Sequence, residues 1–362
     1  MASDVTEPSE LSPGAETYVP DESIVRTKRP RRVLLLVHES FVPPDDVAAM
    51  EEDDYFAMKT ECDVAHGLRE LGHEVRIVGL RDEVAPLREA IDEWRPHVVF
   101  NLLEEFKDQI VYDAHIVGYL ELKGIPYTGC NPRGLVLARD KALSKKILSY
   151  HRIRAPRFQV FPRGRKVRRQ QRLQFPVIVK SLVAEGSEGI AQRSIVHGDA
   201  ALAERVAFIH EHVKTDAIAE QYIDGREVYA SVVGLRRLDV MPIWEIVLDG
   251  LPASAPRIAT SRVKWDLKYQ KKHDIDTVRA RDLTPELEEH IAKTAKRICR
   301  RLNVDGYARI DFRLTPEGEL YFLEANPNPD IAYGEELAAS AEAQGDTYEA
   351  FLERVIRIGM RR

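Results

Sequence analysis

Asp305-Gly-Tyr-Ala-Arg309-Ile-Asp311-Phe-Arg-Leu314, the turn Thr315-Pro316-Glu317-Gly318, and Glu319-Leu-Tyr-Phe-Leu-Glu324-Ala-Asn326-Pro-Asn-Pro329 read as two strands and the hairpin between them. Side chains alternate along a strand, so Arg309 and Asp311 share one face while Ala308, Ile310 and Phe312 share the other. In the returning strand Glu324 and Asn326 share a face as well. Closing the hairpin at Pro-Glu-Gly brings Asp311, Glu324 and Asn326 to one point, with Arg309 beside them. Two carboxylates and an amide oxygen make a hard oxygen donor set, the kind that suits magnesium bridging phosphates. Arg309 then stands where it can stabilise charge on a transferred phosphoryl group or a tetrahedral centre. A solvated hairpin face would also carry acids, but Asn326 lies at the strand end before Pro327 and Pro329, a place where ligands gather.

Working outward, a phosphate site also needs fixed cations. Lys141 opens the helix that starts Asp140-Lys-Ala-Leu-Ser-Lys-Lys, and Lys180 ends the apolar strand Phe175-Pro-Val-Ile-Val-Lys180. A lysine at the end of a buried strand is costly without an anion, which makes Lys180 the stronger candidate. It is followed by Glu185-Gly186-Ser187-Glu188-Gly189-Ile190, whose glycines let backbone N–H groups fold over phosphates. Alone, such a loop is more often a plain turn. Ala219-Glu220-Gln221-Tyr222-Ile223-Asp224-Gly225-Arg226-Glu227 joins two strands; its backbone can read an adenine edge and Glu227 can accept ribose hydroxyls.

The rest of the chain sets this hairpin in a larger frame. Its 362 residues are enough for two or three domains. Residues 1–30, rich in Ser, Pro, Glu and Asp, read as a disordered tail. From Arg31 to residue 138 strands alternate with helices (strands 33–37, 74–80, 97–103 and 125–128; helices 55–71, 86–94 and 111–123), which implies a parallel, doubly wound sheet. A helix 138–150 follows. Strands 158–161, 176–181, 217–223, 227–233 and 240–246 are then joined by short turns, which suggests antiparallel sheet. A long helix begins at Thr284-Pro285-Glu286 with an N-cap and proline at its first position. A terminal helix spans 347–358. The basic run 163–172 reads as a solvated loop.

Composition excludes whole classes. The chain is 44% hydrophobic and 31% charged, and its 53 basic against 59 acidic side chains leave a net charge of -6. Neither nucleic acid nor an anionic membrane is expected as a partner. The apolar runs are strand-sized, no secretory signal is evident, and the cytoplasm is the expected compartment. Cys62, Cys130 and Cys299 are widely spaced without a CxxC, which argues against disulfides and zinc.

Taken in order, Lys141, Lys180, the glycine loop, Glu220-Gln-Tyr-Ile with Glu227, Arg309-Ile-Asp311 and Glu324-Ala-Asn326 resemble the nucleotide and metal motifs of the ATP-grasp ligases, in the D-alanine-D-alanine ligase branch. The resemblance covers about residues 31–335. It implies an α/β and α+β chain: a Rossmann-like first domain (31–138), a small ATP-grasp lobe (139–217) and a large lobe (218–362). It implies an ATP-dependent carboxylate–amine ligase in which ATP phosphorylates a carboxylate and an amine attacks the acyl phosphate. On this resemblance Lys141 and Lys180 contact phosphates, with Glu185, Gly186 and Ser187 in the loop above them. Glu220, Gln221, Tyr222, Ile223 and Glu227 clamp adenosine, and Asp311, Glu324 and Asn326 hold two magnesium ions. Arg309 stabilises the transition state. Lys264-Trp-Asp-Leu-Lys268-Tyr269 is similar to the family's lid, so Lys268, Tyr269 and Ser187 close over the reacting groups and exclude water. Homodimerisation through the first domain is likewise implied by resemblance alone.

Two departures bear on substrate. The first strand runs into His38-Glu39-Ser40-Phe41 in place of a Gly-Gly turn, and Asp330, Glu335 and Glu336 replace the family's acceptor-carboxylate residues. Acids there repel a carboxylate and favour a cationic or simple amine acceptor, so D-alanine is not the favoured substrate. The alternatives are an ATP-grasp phosphotransferase, which makes no amide, and a nucleotide-binding module without catalysis. The intact metal cluster argues against the latter. A nicotinamide enzyme is disfavoured because no glycine-rich turn follows the first strand.

Overall fold

The computed structural model describes residues 17–19, 27, 29–44, 50–184, 186–252 and 255–362. Its first unit is a three-stranded parallel sheet of β1 (Arg32–His38), β2 (Glu74–Leu80) and β3 (Val98–Asn101) in the order β2-β1-β3. β1 is central, and its near-continuous apolar run is what a parallel strand buried on both faces requires. The helices of this unit are α1 (Glu52–Ala57), α2 (Lys59–Glu70), α3 (Ala85–Trp94) and α4 (Asp113–Lys123). The expected helix 55–71 is therefore two helices, broken at Met58 (φ -131°). The expected strand 125–128 reduces to a single bridge, Val99 to Tyr127.

Next come α5 (Pro132–Arg139) and α6 (Lys141–Tyr150), separated by Asp140. The Asp140 carboxylate accepts from the amides of Ala142 and Leu143, which fixes Lys141 as the first residue of α6. The following strands are β4 (Phe158–Phe161), β5 (Val177–Ser181), β6 (Ile195–Val196) and β7 (Ala217–Gln221). They form an antiparallel sheet in the order β4-β7-β5-β6, backed by α7 (Asp199–Phe208). The expected lobe boundary at residue 217 falls on β7, whose partners β4 and β5 both lie in this smaller sheet.

The largest sheet holds β8 (Arg226–Gly234), β9 (Leu238–Val240), β10 (Trp244–Val247), β11 (Asp276–Arg279), β12 (Gly306–Leu314) and β13 (Leu320–Pro327). It runs β11-β10-β8-β12-β13, with β9 against β8, and all its pairings are antiparallel. Two short helices, α8 (Ser261–Trp265) and α9 (Leu267–Lys272), lie between β10 and β11. α10 (Pro285–Leu302) buries Ile291, Ala295, Ile298 and Leu302 in the same core as Ala308, Ile310 and Phe312, the apolar face of β12. The last helices are α11 (Glu336–Glu342) and α12 (Tyr348–Gly359).

α12 does not stay with the large sheet. Phe351, Leu352, Val355 and Ile356 pack with Val33, Leu35, Val64 and Leu68, so the end of the chain completes the core of the first unit. Tyr18 enters the same core at 6% exposure, its hydroxyl bonded to Glu349. The disordered tail was expected over residues 1–30, of which Tyr18 is one of the few described. Most of residues 1–30 lies outside the described residues. The first unit also meets β12 directly at two glycines. Gly306 (φ +75°) has no room for a side chain, since a Cβ there would lie 1.9 Å from the Gly129 carbonyl oxygen.

Candidate active site

The β12–β13 hairpin closes as the alternation of its side chains predicts. Arg309 pairs with Asn326 and Asp311 with Glu324; after Asp311 the register shifts, so that Phe312 faces Phe322 and Leu323 is left over as a bulge. Arg309 grips Asp311 with two bonds, Nε to Oδ1 at 2.8 Å and Nη2 to Oδ2 at 3.0 Å. Its Nη1 donates to Glu336 Oε2 at 2.6 Å, and its guanidinium lies 4.8 Å from the Tyr229 ring. Asn326 Nδ2 donates to Asp311 Oδ2 at 3.0 Å. Asp311, Glu324 and Asn326 thus come together with Arg309.

The bulge has a consequence. Lys145 Nζ donates to the Leu323 carbonyl, and the same ammonium lies 2.9 Å from Glu220 Oε1. Lys180 holds the other oxygen of Glu220 at 3.1 Å. Lys141 donates to the Ala184 carbonyl at 2.7 Å and lies 3.5 Å from Glu324 Oε2. Three lysines therefore face two glutamates, and the cluster keeps one positive charge. Burial pushes the Lys145 ammonium down to about 8, with Glu220 opposing the shift. Burial works to raise the Glu324 carboxyl, but Lys141, Lys180, Lys264 and Lys145 hold it well below the usual carboxylate range. Burial lifts Asp311 to about 6 against the pull of Arg309. Two neighbouring carboxyls are thus driven apart by their surroundings, as happens where ions are handled.

Lys180, Glu220, Asp311 and Glu324 line one side of a cleft, with Ile178, Tyr222 and Leu323 among its apolar walls. Gln221 and Tyr222 have their amides bonded to the Arg157 and Pro176 carbonyls, whereas the amide of Ile223 has no backbone acceptor among the described residues. Glu227 also lines the cleft. It accepts from Arg313 at 2.9 Å and from the Tyr229 hydroxyl at 3.1 Å.

The glycine loop is strapped to the segment that opens α8. Ser187 Oγ donates to Ala259 O at 2.8 Å, Trp265 Nε1 to Gly186 O at 2.8 Å, and the Ser261 amide to Ile190 O at 3.1 Å. Glu185 lies outside the described residues. Of the expected lid residues, Ser187 lines the cleft but Lys268 and Tyr269 do not. Lys268 is exposed, and Tyr269 packs on Arg262 at 4.4 Å and on His273. The cleft lysine from this segment is Lys264. The reason is the extended residue Asp266 (φ -102°, ψ 91°) between α8 and α9, which breaks the helical phase that would put Lys264 and Lys268 on one face.

Reading the sequence missed Lys145 and Arg313, placed Lys264 in the lid stretch without giving it a role, and named Glu336 as an acid on the acceptor side but not as a partner of Arg309. Lys145 was findable, since it follows Lys141 by one helical turn, and so was Arg313, two residues past Asp311 on the same strand face. Glu336 reaches Arg309 from another element, which spacing does not reveal.

The donor chemistry fits magnesium. Asp311, Glu324 and Asn326 offer only hard oxygens, and the two carboxylates here draw Arg309 and Lys141 as counter-cations. Among the described residues no helix is long and apolar enough to cross a membrane.

Residues 146–357 match the family model described as the D-ala D-ala ligase C-terminus. A D-alanine–D-alanine ligase of Aquifex aeolicus is 28% identical over 302 residues, which is 83% of this chain and 94% of that protein. An uncharacterized protein, y4sG, of Sinorhizobium fredii is 29% identical over 270 residues, 73% of this chain and 75% of that one. Among solved structures, the D-alanine–D-alanine ligase of Bacillus anthracis superposes with a TM-score of 0.71 at 22% identity. That superposition covers 91% of this chain and 97% of the other.

Proposed function

Because the chain belongs to the D-alanine–D-alanine ligase family and is an ATP-dependent carboxylate–amine ligase of the ATP-grasp type, we propose a residue-level mechanism for its reaction. ATP lies in the cleft between the β5–β7 edge and the β12–β13 hairpin. Its adenine sits among Ile178, Tyr222 and Leu323 against the free amide of Ile223, and its ribose lies at Glu227. Lys141 and Lys180 meet the phosphates, with the amides of Gly186 and Ser187 above them.

A carboxylate oxygen of the donor substrate attacks the γ-phosphorus, and the bond from that phosphorus to the β,γ-bridging oxygen breaks to release ADP. The amine nitrogen of the acceptor then attacks the acyl carbon. The bond from that carbon to the phosphate oxygen breaks, phosphate departs, and the amine loses a proton. Asp311, Glu324 and Asn326 would hold two magnesium ions, which when bound neutralise phosphate charge. Arg309 is placed to steady the oxygen that becomes negative on the acyl centre. The strap between residues 186–190 and 259–265 keeps water from the acyl phosphate.

One observation carries this reading: Lys180 and Glu220 of the lysine cluster and the hairpin carboxylates Asp311 and Glu324 line a single cleft. The test is ADP release measured with carboxylate and amine supplied separately and together. Release that requires the carboxylate and is completed to amide only with the amine is expected. A phosphorylated hydroxyl product formed without any amine is the contrary result.

A further inference from the structure

We propose that His38, Glu105 and Asp108 form a site for a divalent transition-metal ion such as zinc, at the end of the first sheet. The site is separate from the hairpin oxygens. It uses no cysteine, so the wide spacing of the three thiols does not bear on it.

The first observation is an unsatisfied nitrogen. His38 is the last residue of β1 and only 9% exposed, and its Nε2 is buried with no hydrogen-bond partner among the described residues. The ring is held in place. Its Nδ1 accepts from the Ser40 amide at 3.3 Å, and the ring packs on Phe41. The turn Glu39–Phe41 rests on Gly79 of β2, where a Cβ would come within 2.9 Å of Glu39 Cα. A buried polar nitrogen without a partner is unfavourable, and a ligand is what satisfies it.

The second observation is what Nε2 faces. Glu105 Oε1 lies 3.8 Å away, too far for a hydrogen bond, and the ligand atoms of His38, Glu105 and Asp108 all lie within 4.8 Å of one another. Two donors on one tetrahedral zinc stand about 3.4 Å apart. The half-buried Glu105 and the exposed Asp108 have only to swing their carboxylates inward to reach that spacing. One imidazole and two carboxylates suit zinc better than magnesium, balance its two charges, and leave a coordination position open for water. When Nε2 binds, the ring proton moves to Nδ1 and the long Ser40 contact is given up.

Topology explains why these three side chains meet. In the order β2-β1-β3 the chain leaves β1 for β2 on one side and returns to β3 on the other. The gap between the C-terminal ends of β1 and β3 is therefore the switch point, where ligands settle in open parallel sheets. His38 ends β1, and Glu105 follows β3. Asp108 is delivered by a two-residue turn: Phe106 and Gln109 bond each other's backbones around Lys107 (φ +55°) and Asp108 (φ +53°), both left-handed. The Lys107 amide ties this turn to the Arg81 carbonyl, just past β2, at 2.6 Å. The counter-charge of Asp108 is Arg81 at 3.8 Å, and both side chains are more than half exposed, so that pair is weak enough to yield to a metal.

The test is calorimetry on the full untagged chain, stripped with a chelator and titrated with zinc chloride in excess magnesium, which competes at the hairpin oxygens. One zinc is expected to bind and to raise the melting temperature. Asp108→Asn, on the exposed turn where folding is not at stake, and His38→Gln are each expected to weaken that binding at least about tenfold. Cobalt(II) in the same site should absorb in the visible with the intensity of a tetrahedral ion, and His38→Gln should lose that band. No zinc bound in excess magnesium, or an unchanged affinity in Asp108→Asn, would overturn the proposal.

Discussion

At the scale of single residues, Lys145 shows how a buried charge is made tolerable. Its ammonium has Glu220 on one side and the Leu323 carbonyl on the other, and the bulge in β13 is what turns that carbonyl toward it. Lys145→Met should cost on the order of 3 kcal/mol of stability in urea unfolding, because Glu220 is left buried with Lys180 alone. A variant as stable as the parent would show that the pair carries no weight. Glu335 makes a prediction of opposite sign. Its folded value of about 8 lies above the ordinary 4.5, so the folded state holds the proton more tightly and stability falls as pH rises from about 4.5 through about 8. Glu335→Gln should remove that loss: its melting temperature should fall less than the parent's between pH 5 and pH 8.5, by roughly 2 °C. Parallel curves for the two proteins would contradict the placement of Glu335. The residues legible in the sequence were those whose partners lie on the same strand or hairpin, namely Arg309, Asp311, Glu324 and Asn326. The pairing of Glu336 with Arg309 was not legible, because it joins elements far apart in the chain.

At the scale of elements, the alternating period of β12 and β13 and the Thr284-Pro285 start of α10 were plain from sequence, since local chemistry alone decides them. The breaks at Met58 and Asp140 were not, because apolar spacing continues across both while the backbone leaves the helix. Asp266 acts the same way between α8 and α9, and for that reason Lys264 and not Lys268 reaches the cleft. Trp265, whose ring is otherwise exposed, makes one of the ties of the strap between α8 and the glycine loop. Trp265→Ala should loosen it and raise ADP release in the absence of amine severalfold, because water then reaches the acyl phosphate. Tightly coupled turnover in that variant would show that the strap does not exclude water.

At the scale of the whole molecule, the two antiparallel sheets meet at one cleft, and the first unit joins the large sheet through backbone contacts such as Gly129 against Gly306. The parallel first sheet and the antiparallel pair that follows were readable from the rhythm of elements. The return of α12 to the first sheet and the anchoring of Tyr18 beside it were not, since both depend on contacts across most of the chain. This closure ties α2 to the loop after β13, Thr60 bonding Asp330 and the Tyr333 amide bonding Asp63. The central claim is that a carboxylate is activated as an acyl phosphate and passed to an amine. The most direct measurement supplies a donor carboxylate labelled with ¹⁸O together with ATP, magnesium and an amine acceptor, and follows the label by mass spectrometry. One labelled oxygen should appear in the released phosphate as the amide forms. Unlabelled phosphate alongside the amide would contradict an acyl phosphate, and phosphate release without amide would contradict ligation itself.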